Sequence, residues 1–200
     1  KAIIRNSGCG AFYKPKNKVI TLFQDPSVYV SEYMSSQRFK EWEFEFEYLY
    51  PLLQRECGRD SYNIAFSEYM VKYMGKIGVE CHQLIPLGVD LELFKPKEVE
   101  RPEEWKKYKK VGIWVGKHHC LKWSFMPELI QNNPDIFWIL VFYGKNVKSA
   151  KSENIKQYFN VSQEELANLY NMADFCISTS PVESFGLTNL EAMSCNKPIV

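Results

Sequence analysis

Residues 178–200 read Ser178-Thr-Ser-Pro-Val-Glu183-Ser-Phe-Gly186-Leu-Thr-Asn-Leu-Glu191-Ala-Met-Ser-Cys-Asn196-Lys-Pro198-Ile-Val200. The apolar run Phe175–Ser178 in front of them predicts a strand ending at Ser178. A loop carrying Glu183 follows. A helix is expected to begin near Ser184–Leu187 and to end around Cys195. There Asn196 can take the left-handed cap conformation and Pro198 prevents continuation. Ile199 and Val200 would start the next strand.

A helix start leaves backbone N–H groups without intrahelical partners and carries about half a unit of positive charge. Gly186 lets a ligand approach that backbone closely. The combination predicts an anion site, and phosphate is its natural occupant. Carboxylates beside it cannot bind phosphate. Glu183 and Glu191 must instead accept hydrogen bonds from hydroxyl groups. Amides for an anion, flanked by two carboxylates for hydroxyls, suit a ligand that offers both, as a nucleotide-sugar does.

A second element lies upstream, in Val111-Gly-Ile-Trp-Val-Gly116-Lys117-His-His-Cys-Leu-Lys122. A buried strand is expected to end at Gly116, with Lys117 and Lys122 just beyond it. Open α/β sheets bind ligands at the carboxyl ends of their strands. Lys117 and Glu183 would converge there if strands 111–116 and 175–178 lie near each other.

The wider pattern supports that setting. Val19–Phe23, Tyr62–Phe66, Val111–Gly116, Ile136–Phe142, Ile155–Phe159 and Phe175–Ser178 read as strands, several too apolar to have a wet face. Ser162-Gln-Glu-Glu165 opens a helix whose stripe is Leu166, Leu169, Tyr170 and Ala173. Ser67 can cap a helix through Tyr73, and Pro127 fits the first turn of one running to Gln131. Phe39, Trp42, Phe46, Tyr50 and Leu53 fit a helix bent near Pro51 better than a strand, because glutamates separate them. The alternation predicts α/β architecture with parallel strands. Pro86, Gly88, Pro96 and Pro102 mark a boundary, so residues 1–88 and 89–200 read as parts of two domains.

Bulk composition excludes several classes. The 200 residues are 46% hydrophobic with a formal charge of +1, so the chain lacks the basic excess of a dedicated nucleic-acid binder. The start is locally basic: Lys1, Arg5, Lys14, Lys16, Lys18, Arg38 and Lys40 stand against Asp25 and Glu32. A solvated face is the plain reading, and attraction to an anionic membrane surface is the sharper one. Cysteines at 9, 57, 81, 120, 176 and 195 form no C-x-x-C pair, which suits a reducing, cytoplasmic protein. His118-His119-Cys120 is contiguous rather than spaced like a zinc site, and no Asp-x-Asp pair occurs, so no metal or other cofactor is expected. Gly8-Cys-Gly10 lacks the third glycine of a dinucleotide fingerprint.

Taken together, Glu183–Glu191 with Phe185-Gly186-Leu187 and Glu191-Ala-Met193 resembles the E-x7-E motif of family-four-type glycosyltransferases. Gly116-Lys117 through Lys122 resembles that family's glycine–basic–x4–lysine loop. Leu84-Ile-Pro-Leu-Gly88-Val-Asp90 through Phe94-Lys-Pro96 resembles its crossing between domains, and Ala65-Phe-Ser67-Glu68 the step ending the first domain. The resemblance runs from about residue 19 to 200. It implies the GT-B fold, two Rossmann-like domains, both incomplete here: an acceptor-side one ending at 88 and a donor-binding one from 89. It implies a retaining, metal-independent hexosyltransferase using a UDP- or GDP-sugar and a sugar, lipid-linked or protein acceptor. Lys117 and Lys122 would bind the diphosphate and Glu183 the hexose hydroxyls. Phe185, Gly186 and Leu187 would contact sugar and phosphate, Glu191 the ribose, and the backbone around Phe159 the base. Departures from the pattern are Lys117 where Arg is common, Trp123 and Asn196 where Gly is usual, and Gln24 where many members carry a histidine. A non-catalytic nucleotide-sugar-binding module and a peripheral membrane-surface protein are the alternatives.

Overall fold

The computed structural model describes residues 2–6, 18–24, 48–116, 123, 125–144, 152–180 and 183–200. The chain divides into two compact units, Lys1–Leu87 with Val182–Phe185 and Gly88–Pro181 with Gly186–Val200. The expected aromatic helix lies outside the described residues up to position 47, as do most of the basic start, Gly8–Gly10 and the loop 117–122.

In the first unit, β1 (Ile3–Asn6), β2 (Val19–Phe23), β3 (Tyr62–Ala65) and β4 (Gln83–Leu84) pair in that order, all parallel. β2 turns Val19, Thr21 and Phe23 inward, as the period of two requires. Helix α1 (Tyr50–Arg59) takes Pro51 into its first turn, where no amide partner is lost, and runs past the expected Leu53. Leu49 before it already has helical dihedrals, φ −71° and ψ −49°. Helix α2 (Glu68–Lys76) starts where Ser67 Oγ accepts the Met70 amide at 3.2 Å. It runs three residues beyond Tyr73 because Gly78, at φ 72°, supplies the left-handed stop. Val79 N–H then reaches Met74 O at 2.9 Å and Gly78 N–H reaches Gly75 O at 3.2 Å. Arg5 does not belong to a free basic face. Its Nε donates to Thr21 Oγ1 at 3.0 Å and its Nη2 to the Cys57 carbonyl.

The second unit holds β5 (Lys110–Gly116), α3 (Met126–Asn132), β6 (Ile136–Phe142), β7 (Ile155–Phe159), α4 (Gln163–Met172), β8 (Phe175–Cys176) and α5 (Leu187–Ser194). The four strands form a parallel sheet in the order β7-β6-β5-β8. Both faces are covered, which explains the unbroken apolar runs. Ile113, Val115, Phe137, Ile139 and Val141 pack with Leu166, Leu169, Tyr170 and Ala192. Trp114, Trp138, Leu140 and Phe142 pack on the other face with Met126 and Ile130. Each fully buried large side chain contributes about 1.5–3 kcal/mol relative to exposure. Gly112 is fixed by this packing, since a Cβ there would lie 2.7 Å from the Phe175 ring and 2.8 Å from Trp138.

Strand β8 is shorter than expected, because paired register stops at Cys176. Ladder-like bonds still continue, from Ile177 N–H to Ile113 O and from Ser178 N–H to Val200 O, each 2.9 Å. Ile199 bridges Cys176 in parallel and begins the next strand position, as Pro198-Ile-Val suggested.

Candidate functional site

Strand order decides where a ligand can sit. From β5 the chain moves outward to β6 and then β7, then returns to place β8 on the other side of β5. The direction of winding therefore reverses between β5 and β8. The helices that follow these two strands, α3 and α5, pack on opposite faces of the sheet; in doubly wound sheets such a switch point is where ligands bind, at the carboxyl ends of the strands. Gly116 at the end of β5 and the segment after Cys176 flank that point.

Side chains tie the two strand ends together. Trp114 Nε1 donates to Thr179 Oγ1 at 2.8 Å, joining the end of β5 to the segment after β8. The Trp114 ring also fixes Gly116, where an added Cβ would come within 2.8 Å of it. Asn189 Nδ2 donates to Ser178 Oγ at 3.3 Å, anchoring the first turn of α5 at the strand end.

Gly186 caps α5 with φ 82° and ψ 52°, a left-handed geometry that costs other residues about 1–2 kcal/mol. Its carbonyl accepts both the Asn189 and the Leu190 amides at 3.0 Å. The helix closes as expected on Asn196 at φ 57°, with Asn196 N–H to Met193 O at 2.9 Å and Lys197 N–H to Ala192 O at 3.0 Å.

One turn along, Glu191 is half-buried, with Oε2 3.1 Å from the Tyr170 hydroxyl. Burial pushes its carboxyl above the ordinary value, and the Tyr170 hydrogen bond partly offsets that. Tyr143, just past β6, is raised by burial and then by the charges of Glu191 and Glu165. Tyr170 is raised far more, again by burial first and Glu191 second. Glu191 is thus a half-buried carboxylate whose observed donor is a phenol.

Gly116, Phe142 and Phe159 share one register row at the carboxyl edge of the sheet. Phe159 is 46% exposed and stacks on Phe142 with centroids 5.7 Å apart. Asn160, at φ 50°, holds the turn beside it by accepting the Gly144 amide at 2.9 Å. Gly116, Phe159, Gly186, Leu187 and Glu191 thus belong to one unit. Glu183 and Phe185, both half-buried, group with the first unit instead. Lys117 and Lys122 lie outside the described residues.

Sequence reasoning missed Tyr143 and took Tyr170 only as part of an apolar stripe. The available signal was its hydroxyl, which a buried tyrosine must satisfy. The other end of the sheet is structural. There Arg101 pairs with Asp174 at 2.9 Å, and Asp174 accepts the Val111 amide at 2.7 Å.

Family comparison bears on this half of the molecule. Residues 130–200 match the family model of glycosyl transferases group 1. That stretch runs from the end of α3 through β6, β7, α4, β8 and α5. Among solved structures, sucrose-phosphate synthase from Thermosynechococcus elongatus superposes with a TM-score of 0.76 at 17% identity, over 99% of this chain and 55% of the other. WaaG, a glycosyltransferase involved in lipopolysaccharide biosynthesis, superposes with a TM-score of 0.61 at 14% identity, over 92% and 59%. The chain therefore spans little more than half the length of either. At such identities the likeness is one of fold, the parallel-sheet α/β fold of GT-B glycosyltransferases. No curated protein matches the sequence. Among the described residues no helix is long and apolar enough to cross a membrane.

Proposed function

We propose that the chain belongs to a retaining, metal-independent glycosyltransferase that moves a hexose from a nucleotide-diphospho-sugar to a hydroxyl acceptor. Residues 89–200 would bind the donor and residues 1–88 would form the acceptor side. The observation that carries this reading is the winding reversal between β5 and β8, with a helix start and a half-buried carboxylate on the same element beside it.

The chemistry follows from charge. The bond from the anomeric carbon to the phosphate oxygen breaks, leaving negative charge on the diphosphate. Lys117 and Lys122 neutralise that charge in place of a divalent cation, and the amides opening α5 assist. The acceptor oxygen bonds to the anomeric carbon on the face the phosphate leaves, and its proton passes to the departing phosphate. Glu183 takes hexose hydroxyls, Phe185, Gly186 and Leu187 line the sugar and phosphate, Glu191 takes the ribose hydroxyls, and the exposed Phe159 edge meets the base.

Gln24 favours a second reading, a non-catalytic nucleotide-sugar-binding module. It is exposed immediately after β2, where its amide cannot act as a base. Calorimetry with UDP, GDP and their sugars, followed by proton NMR of the product anomer, separates the readings. Binding with transfer and a retained anomer supports the enzyme. Binding without hydrolysis or transfer supports the module, and absence of binding refutes both.

A further inference from the structure

We infer that Tyr170 is a positioning residue for Glu191, holding one carboxylate oxygen so that the other faces the ligand hydroxyls. The inference rests on the proposed role of Glu191 as the ribose acceptor. Tyr170 sits on α4 with its ring fully buried in the core, edge-on to Phe94 at 6.2 Å. The buried ring places its hydroxyl against α5. Its hydroxyl is 3.1 Å from Glu191 Oε2 and also 3.1 Å from the Thr188 carbonyl oxygen, both on α5. A phenol has one proton, so the two acceptors compete for it, and an ionised carboxylate is the stronger. Among the described residues, Glu191 Oε1 has no hydrogen-bond partner, so the bond to Oε2 fixes which oxygen remains open.

The arrangement also couples geometry to protonation. If Glu191 takes a proton, the Tyr170 hydroxyl can turn its hydrogen to Thr188, and the orienting bond is lost. Among the described residues, the titratable groups facing Glu191 are Tyr170 from α4, Tyr143 after β6 and Cys195, which caps α5 one turn on. None of these is a cation, and among them the Tyr170 hydrogen bond is what favours the ionised form against burial.

Tyr170→Phe keeps the ring and removes the hydroxyl. UDP and GDP affinity should fall about tenfold, the scale of one charge-assisted hydrogen bond. Preference for ribose over 2′- and 3′-deoxyribose nucleotides should shrink with it. The acid limb of the affinity–pH profile should move to higher pH, a change that loosened packing would not produce. In a double-mutant cycle with Glu191→Ala, which removes both carboxylate oxygens, the Tyr170→Phe effect should largely vanish. Circular dichroism checks the fold. Should the Phe variant not fold, 3-fluorotyrosine placed at position 170 donates more strongly and should move the acid limb to lower pH.

A wild-type chain that binds no nucleoside diphosphate overturns both readings together. A wild-type chain that binds and prefers ribose, with a Tyr170→Phe variant of identical preference and pH profile, overturns the positioning role alone. So do additive effects in the cycle, or an acid limb unmoved by the fluorinated residue.

Discussion

Glu191→Gln separates what this residue does for the fold from what it does for a ligand, because the structure sets the two effects in opposite directions. The amide is isosteric, and the Tyr170 hydroxyl approaches the Oε2 position from 3.1 Å. A donor there requires an oxygen opposite it, so the glutamine oxygen takes that place. Its NH2 then stands where Oε1 stood. Ribose hydroxyls that donated to a carboxylate would meet a donor instead. The loss is one charge-assisted hydrogen bond, about 1.5–3 kcal/mol, or roughly 10- to 150-fold in Kd.

Stability should move the other way. Burial raises the Glu191 pKa above its ordinary value even though Tyr170 lowers it. The native state therefore binds the proton more tightly than the unfolded chain does. Wild-type stability is diminished at pH above the folded pKa and recovers as pH falls through it. The glutamine variant has no such dependence. It should be more stable than wild type at neutral pH, with the gap narrowing on acidification. Calorimetry with UDP and GDP, and thermal unfolding between pH 5 and 8, measure both arms. Unchanged affinity would remove Glu191 from the ligand, and a variant less stable than wild type at neutral pH would mean that the carboxylate serves the fold.

Two further predictions test other parts. Lys122→Ala should lower turnover far more than donor affinity, because the charge it meets develops as the phosphate leaves; equal losses in kcat and in binding, from single-turnover kinetics and calorimetry, would contradict that role. Asp174→Asn should destabilise the second unit by about 1–3 kcal/mol at neutral pH, since it weakens the bonds to Arg101 and to the Val111 amide. Burial pushes the Asp174 carboxyl up, but those bonds and the nearby Lys110 charge bring it below its ordinary value. Its contribution is thus present above the unfolded value and lost as pH falls through the folded one, so variant and wild-type Tm should converge in acid.

What the sequence made legible follows its physical signals. Ile136–Phe142 is unmistakable because both faces of its sheet are covered, and Ser67, Ser162 and Asn196 announce helix ends through backbone hydrogen bonding. Ile3–Asn6 and Gln83–Leu84 escaped notice because both lie at sheet edges and carry little burial. Such strands exist by pairing with a partner distant in the chain. Helix α2 runs past Tyr73 through Gly75, where a Cβ would touch nothing, to the stop that Gly78 provides at φ 72°. In the site, the adjacency of β5 and β8 was a condition that the sequence could only state. The Tyr170–Glu191 bond joins side chains of two helices and depends on how those helices pack, which no local pattern encodes.

If α5 binds a nucleotide-sugar as proposed, the order of charges along it would suit a ligand of mixed polarity, though not by that helix alone. Leu187 and Glu191 are separated by a rise of about 6 Å. That sets a positive helix start and a carboxylate about as far apart as a phosphate and the far edge of its own ribose. Glu191 nonetheless repels a phosphate at that distance by about 1–3 kcal/mol at effective dielectrics between 80 and 20. A helix start returns typically 0.3–1 kcal/mol, with about 2 kcal/mol as its upper range. On those magnitudes the amides do not reliably outweigh the carboxylate, and the anion needs further cations. Lys117 and Lys122, following the strand that lies across the switch point from β8, are the basic residues the sequence supplies there. On the proposed function, then, the carboxylate would supply specificity and the two lysines would offset its charge, and a chain retaining only α5 is expected to bind neither phosphate nor nucleotide well.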